Sequence, residues 1–280
     1  MAIDAKQLEK KVLQVSNLPT LPNVVKDICT MVEDKRTGAT DIGELIARDQ
    51  VLSAKILRLV NSPVYGFPGR ISSVTHALVL LGFNVVKGLV LSTAVFDTFA
   101  QHTRGFWQHS LGCAIVSRRL AKELGMPDVE EVMVAGLLHD LGKAVLSFLA
   151  PDVFEDALAM AEIDHCHIAV AERELFGVDH ARVASWVARE WHLPDRLYDA
   201  LAYHHRPDLA EAGKQITAVV HLADILTRGM GYGAPGDRAM PPLNHQAFHS
   251  LGISYEQIDR VLEQAEMEYG AGADIFTKLE

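Results

Sequence analysis

The sequence predicts an all-α protein built as two helical lobes, and three observations carry that prediction. Apolar residues recur at helical spacing along most of the 280-residue chain, and strand-type alternation is nearly absent. Helix caps and Gly/Pro breaks punctuate the apolar runs at intervals suited to helices. Hydrophobic residues make up 49% and mean hydropathy is +0.11, a composition that supplies a buried core and argues against wholesale disorder.

The elements follow in order. MAIDAKQLEKKVLQ is charged and amphipathic and has no apolar centre, so it is not a secretory signal. Pro22 suits the first turn of a helix through NVVKDICTMVED. Asp41, with Glu44 three residues later, reads as a capping box for IGELIARD. In QVLSAKILRLVN, residues Val51, Ala54, Ile56, Leu57 and Val60 fall roughly on one face, and NSPVYGFPGR (61–70) is a turn-rich break. Residues 76–96, HALVLLGFNVVKGLVLSTAVF, are long enough to span a bilayer. Asn84 and Lys87 interrupt that run and Gly82 offers a stop, so two buried helices are expected instead.

FWQHSLGCAIVSRRLAKEL ends at Gly125, a natural C-cap, and Asp128 with Glu131 suits the start of VEEVMVAGLLHDLG. Further helices are predicted over 151–163, 178–191, 195–204 and 215–228, the last closed by Gly229. GMGYGAPGDRAMPPLN (229–244) reads as a loop, and Ser254 with Gln257 as a second capping box for EQIDRVLEQAEMEY. The expected organisation is a helical lobe over 1–102, a second lobe over 103–230 that carries the chemistry, and a tail over 231–280.

The net charge of −10 is unevenly spread. Residues 1–100 carry 11 Lys/Arg against 9 Asp/Glu, residues 101–230 carry 12 against 19, and residues 231–280 carry 3 against 8. Binding a nucleic-acid backbone needs a basic footprint, which this distribution does not offer. Cys29, Cys113 and Cys166 are odd in number and widely spaced, the pattern of free thiols in a reducing compartment. A soluble, cytoplasmic protein with no nucleic-acid or membrane partner is the expectation.

Chemistry concentrates in the second lobe. GLLHDLGKAVL (136–146) contains an adjacent His139–Asp140 pair inside an apolar run, costly to bury unless paired. His109, His180, His204, His205 and Asp224 lie elsewhere in the same lobe. Imidazole and carboxylate suit Zn, Mn, Fe or Ni, and a carboxylate can bridge two cations. Asp140 is the bridging candidate, and Lys143, one turn on, has the charge to meet a substrate phosphate. Each residue also has a plain structural alternative. Asp140 could face an arginine, Lys143 could serve the helix dipole, His204 could be a turn residue before Pro207, and Asp224 could be solvated. His165-Cys166-His167 points in three directions and reads as a peripheral cluster. His221 shares a face with Asp224, and His109 with Cys113 makes only half a zinc site.

HDLGK is the core of the HD superfamily of metal-dependent phosphohydrolases. NLPTLPNVVKDI, DIGELIARDQVLSAKILRLVNSPVYG and ISSVTHALVLLGFNVVKGLVLS precede it, and ERELFGVDHARVASWVAREWHLP and YHHRP follow. Over roughly residues 15–215 this run closely resembles the HDOD domain family. The resemblance implies an all-helical, bacterial, cytoplasmic protein of signal transduction and regulation. By resemblance to active HD domains, His109, His139, Asp140 and Asp224 match the ligands of a first metal, and Asp140, His180, His204 and His205 those of a second. The related HD-GYP enzymes hydrolyse cyclic-di-GMP, but here HHRPDLAEAGKQ stands where their Gly-Tyr-Pro stretch would be, and Gly105 where a third metal's Glu would be. Three readings therefore remain, of which a nucleic-acid-binding regulator is disfavoured by the acidic charge. Of the other two, one is a regulatory protein whose partner is another protein or a small phosphorylated ligand. The other is a working phosphohydrolase on a small phosphoester or nucleotide, with Asp140 and Lys143 in the catalytic roles.

Overall fold

A computed structural model of the protein describes residues 4–14, 24, 27, 28, 38–63, 65, 69–99 and 105–276. Among these residues the regular structure is helical and no strand occurs. Helix α1 (Ala5–Val12) is capped by Asp4, whose side chain accepts from the Lys6 amide. Helices α2 (Ala39–Ala47), α3 (Gln50–Val60), α4 (Val74–Leu81) and α5 (Phe83–Phe99) follow. Most of the helix expected after Pro22, and Cys29 within it, lies outside the described residues.

The stretch 76–96 is divided as expected: Gly82 takes φ +82°, where a side chain is strained, and separates α4 from α5. A different segment, Val129–Leu149, is long and apolar enough to cross a membrane, and 89% of it is buried inside the fold. That burial marks core helices, whose apolar faces are covered by protein on all sides.

The second half begins with α6 (Phe106–Glu123) and α7 (Val129–Leu138), which pack closely on each other. Then come α8 (Leu141–Leu149), α9 (Pro151–Ile163), α10 (Ile168–Phe176), α11 (His180–Glu190) and α12 (Asp195–Tyr203). A 3₁₀ turn at Pro207–Leu209 leads to α13 (Lys214–Gly229), α14 (His245–Leu251) and α15 (Tyr255–Phe276). One contiguous apolar core runs from Leu8 to Ala265. Buried polar ties reinforce it. Arg118 on α6 grips the Glu130 carboxylate and donates to the Tyr65 carbonyl at 2.7 Å, while Lys87 on α5 donates to the His192 carbonyl beyond α11 at 3.1 Å.

Three expected starts and ends differ in detail. The capping box at α2 begins three residues earlier: Gly38 is the N-cap, and Asp41 reaches back from the third position to its amide at 2.8 Å. Asp128 occupies the N-cap of α7 but makes no side-chain cap bond, because its carboxylate pairs with Arg196 at 2.6 Å. The helix expected through HDLG breaks at His139–Asp140, giving α7 and α8. The Ser254–Gln257 box forms in both directions, at 2.9 and 3.3 Å.

Candidate metal centre

Five places in the chain deliver the side chains. His109 lies in the first turn of α6, His139 and Asp140 at the α7–α8 break, and His180 at the first residue of α11. His204 and His205 follow the last turn of α12, and Asp224 lies inside α13. Gly142 explains part of the HDLGK pattern. A Cβ there would overlap the His180 carbonyl, so only glycine lets the start of α8 lie against the start of α11. That approach brings Asp140 to His180.

Two triads result, each with its ligand atoms within 4.8 Å of one another: His109, His139 and Asp224 in one, His180, His204 and His205 in the other. Asp140 lies between them. Its Oδ2 is 3.3 Å from His139 Nε2 and 3.8 Å from His109 Nε2. Its Oδ1 is 3.2 Å from His180 Nε2 and 3.8 Å from His204 Nε2. All seven residues predicted as ligands are thus brought to one centre; six are buried and His205 partly so.

Hydrogen bonds behind the rings set their orientation. A carbonyl can only accept, so His139 Nδ1 donates to Gly136 O at 2.7 Å and His204 Nδ1 to Leu201 O at 3.0 Å. Glu172, itself fully buried, lies 2.6 Å from His180 Nδ1 and also accepts from the His180 amide at 2.8 Å. In each case Nε2 is the atom turned toward the centre. His139 Nε2, His204 Nε2 and Asp140 Oδ1 are buried there without a hydrogen-bond partner. Buried polar atoms are normally satisfied. Unsatisfied polar atoms converging from two sides, with His139 and His204 backed by carbonyls and His180 by a carboxylate, are the donor set that divalent transition metals take. The residues fit such ions.

In the metal-free protein the charges rearrange around Asp140. Burial opposes its ionisation, but His139 and Lys143 hold its carboxyl well below the usual range. Burial likewise opposes a charge on His139, yet the Asp140 carboxylate and Cys113 raise it well above an ordinary imidazole. Burial, reinforced by His139, depresses His204 to about 3, and burial foremost also lowers His109, His180 and His205. Burial pushes Glu172 up to about 8.

Lys143 is not turned to solvent. Its amine donates to Asp140 Oδ2 at 2.7 Å and to the Pro235 carbonyl at 2.9 Å, and its side chain is fully buried. Pro235 belongs to the loop after α13, whose position the sequence left open. Residues 231–240 cross the centre as a strap. The Ala234 amide donates to Gly105 O at 3.0 Å, and Gly233, at φ +68°, packs so tightly on the start of α6 that a Cβ would overlap the His109 amide nitrogen.

Sequence reasoning missed four contributors. Glu172, Arg228 and Asp237 belong to none of the motifs that the sequence singles out, and His167 was read only within a peripheral cluster. Arg228 Nε donates to Asp224 at 3.1 Å, and its position four residues after Asp224 on one helix was the available signal. His167 caps α10 by accepting from the Ala169 amide at 3.3 Å, consistent with a helix start, but its ring also stands 4.7 Å from that of His205. His221 stays structural: Nδ1 donates to His204 O at 2.7 Å and Nε2 accepts from the Asn244 amide at 2.9 Å.

The sequence matches the HDOD domain over residues 18–207. The chain belongs to the HDOD domain family. An HDOD domain protein of unknown function from Geobacter sulfurreducens superposes with a TM-score of 0.71 at 26% identity, covering 95% of this chain and 98% of that one. An uncharacterized protein of Treponema pallidum is 24% identical over 220 residues, 77% of this chain and 43% of that protein. Ribonuclease Y of Thermus thermophilus is 32% identical over 120 residues, 43% of this chain and 16% of the ribonuclease. The chain thus spans less than half the length of these curated relatives. The HDOD match ends at residue 207, so Asp224, Arg228 and the strap all lie beyond it.

Proposed function

We propose that this HDOD protein is a cytoplasmic signal-transduction regulator whose second lobe holds two divalent transition-metal ions, of the Fe, Mn, Zn or Ni class. His109, His139 and Asp224 would hold one, His180, His204 and His205 the other, and Asp140 would serve both. Such ions supply Lewis acidity toward the oxygens of a phosphoester. The protein's own residues do the rest: Glu172 and the Gly136 and Leu201 carbonyls fix the imidazoles, and Lys143 neutralises Asp140. One observation carries the preference for regulation over constitutive hydrolysis. The predicted ligands lie together, yet Lys143 is buried and engaged by Asp140 and by the Pro235 carbonyl of the strap, so it is not the free cation that the hydrolase reading assigns to a substrate phosphate.

The second reading, a phosphohydrolase on a small phosphoester or nucleotide, is favoured by the same ligand set and by the similarity to ribonuclease Y. The decisive experiment is elemental analysis of untagged protein purified without chelator, with Asp140→Ala alongside. About two ions per chain, lost in the variant, is the expected result. No stoichiometric metal after reconstitution would overturn the binuclear reading. Turnover of bis(p-nitrophenyl) phosphate by the loaded wild type, absent in Asp140→Ala, would move the assignment to the hydrolase.

A further inference from the structure

Asp237 is a loop residue, yet its side chain is fully buried. Its Oδ1 accepts from Arg228 Nη1 at 3.0 Å and from the Ala239 amide at 2.9 Å. Its Oδ2 accepts at 3.1 Å from the amide of Ile168, the first residue of α10, with His167 Nε2 3.9 Å away. The Arg228 side chain is only 3% exposed; its Nη1 also donates to the Ala239 carbonyl, while Nε and Nη2 turn to Asp224 and His167. A buried guanidinium and a helix N-terminus thus converge on one carboxylate, with the His167 ring beside them at 3.9 Å. That is the donor set with which proteins bind oxyanions. Beside it lies a cavity of about 260 Å³ lined by Arg228, Pro235, Asp237, Arg238, Ala239 and Met240. The Arg238 side chain, 88% exposed, stands at its edge.

The strap that inserts Asp237 turns on three glycines. Gly231, Gly233 and Gly236 all take positive φ, and residues 231–240 are exposed or only partly buried. Beyond the Asp237 bonds, its ties to the rest of the protein include Ala234 to Gly105 and Pro235 to Lys143. We propose that the cradle of Arg228, the Ile168 amide and His167 is a binding site for a small phosphate-bearing anion, and that Asp237 is its built-in competitor. Phosphate carries nearly twice the charge of a carboxylate and offers more acceptor oxygens to the same donors. When it displaces Asp237, the strap lifts, the Pro235 carbonyl leaves Lys143, and the path to Asp140 opens. Through Arg228, which also holds Asp224, the anion acts directly on the centre. The proposal rests on the strap and the cradle and does not require the centre to hold metal.

The test therefore uses the full chain stripped of metal, with inorganic phosphate as the probe in calorimetric titration and hydrogen exchange. Asp237→Ala removes the competitor while Asp224 still pairs with Arg228, and it should bind phosphate about tenfold or more tighter than wild type. Arg228→Gln in that background should abolish the gain. In the wild type, phosphate should accelerate amide exchange across 231–240. Asp237→Asn, which keeps the side chain's shape and removes its charge, should show the same direction of change and covers the case in which Asp237→Ala unfolds. Equal phosphate affinity in wild type and both Asp237 variants would overturn the proposal, as would a gain that survives loss of Arg228. A gain as large for acetate as for phosphate would overturn the assignment of the ligand class.

Discussion

The His109–His139–Asp224 triad contains a carboxylate, and a buried arginine stands 3.1 Å from it. The His180–His204–His205 triad contains only imidazoles, and the carboxylates near His180 belong to Asp140 and Glu172. In the first triad, charge is balanced before any cation arrives: Asp224 Oδ1 already accepts from both His109 and Arg228. A metal entering there competes with two donors. In the second, burial keeps the rings neutral, and two Nε2 atoms face each other at 2.9 Å. Neutral imidazole is the ligand form, and a cation here has to displace only the proton that His180 Nε2 and His205 Nε2 share. One half must give up a guanidinium and an imidazole partner, whereas the other must give up only the hydrogen bond between its own two rings.

Asp140 is the element common to both halves, so its loss is the largest expected effect. Asp140→Ala should abolish metal binding in both triads. It should also cost about 3–5 kcal/mol of stability even in chelator, because Lys143 is left buried without its carboxylate. Chemical denaturation of Asp140→Ala and of the Asp140→Ala/Lys143→Met double variant measures this. The double variant should recover most of the stability and none of the metal. A single variant that keeps one ion per chain would break the idea of a shared ligand.

Glu172→Gln should separate the halves. Replacing the acid behind a metal-bound imidazole typically lowers metal affinity about 10–100-fold. The expected result in a metal titration is two steps, of which only the one that depends on His205 weakens in Glu172→Gln. Equal weakening of both steps would show that the triads act as a single unit.

Acid should expose the imidazoles. His109, His167, His180, His204, His205 and His221 are all lowered, chiefly by burial, with His204 at about 3 and His167 at about 4. An unfolded imidazole takes its proton near 6.5, so each such group contributes stability above that pH and loses it as pH falls toward its folded value. His139, raised, and Glu172, at about 8, have the opposite sign: their contributions are present at low pH and lost as pH rises through their folded values. Glu131, also raised by burial, has that sign too, but the six lowered imidazoles outweigh these three groups, so the metal-free melting temperature should fall between pH 6.5 and 4.5. Saturating metal should hold the ring ligands unprotonated and shift the loss to lower pH. A flat profile in chelator would contradict the dry, neutral second triad.

Much of this was legible in the sequence because helices announce themselves locally. The Ser254–Gln257 box, the Gly82 break and the boundaries 151–163 need only neighbouring residues, and they appear in the fold as read. The seven residues of the centre were legible for another reason: His and Asp are conspicuous in apolar helices, and the resemblance to active HD domains picked them out. Glu172, Arg228 and Asp237 were not legible, because charged residues at helix ends and in loops are usually solvated. Their roles come from contacts across the fold: Glu172 to a ring on the next helix, and Asp237 to a helix start 69 residues away. The strap was readable as a loop, but where it lies depends on Gly233 fitting against His109.

The smallest effects concern what holds His180 from outside. Asp179 caps α11 by accepting from the Arg182 amide at 3.0 Å, and the half-exposed Arg173 pairs with its other oxygen at 2.6 Å. Losing the cap in Asp179→Ala should cost about 1 kcal/mol. Arg173→Ala should cost about 0–1 kcal/mol, since water screens the pair. Neither change touches the Glu172–His180 bond, so metal affinity in the second triad should stay within about twofold of wild type, against the 10–100-fold loss expected for Glu172→Gln. If Arg173→Ala weakened the second triad as much as Glu172→Gln, the ring would be held by the helix start as a whole and not by the buried acid. The contrast between a carboxylate-balanced and an imidazole-only half would then lose the buried acid on which it turns.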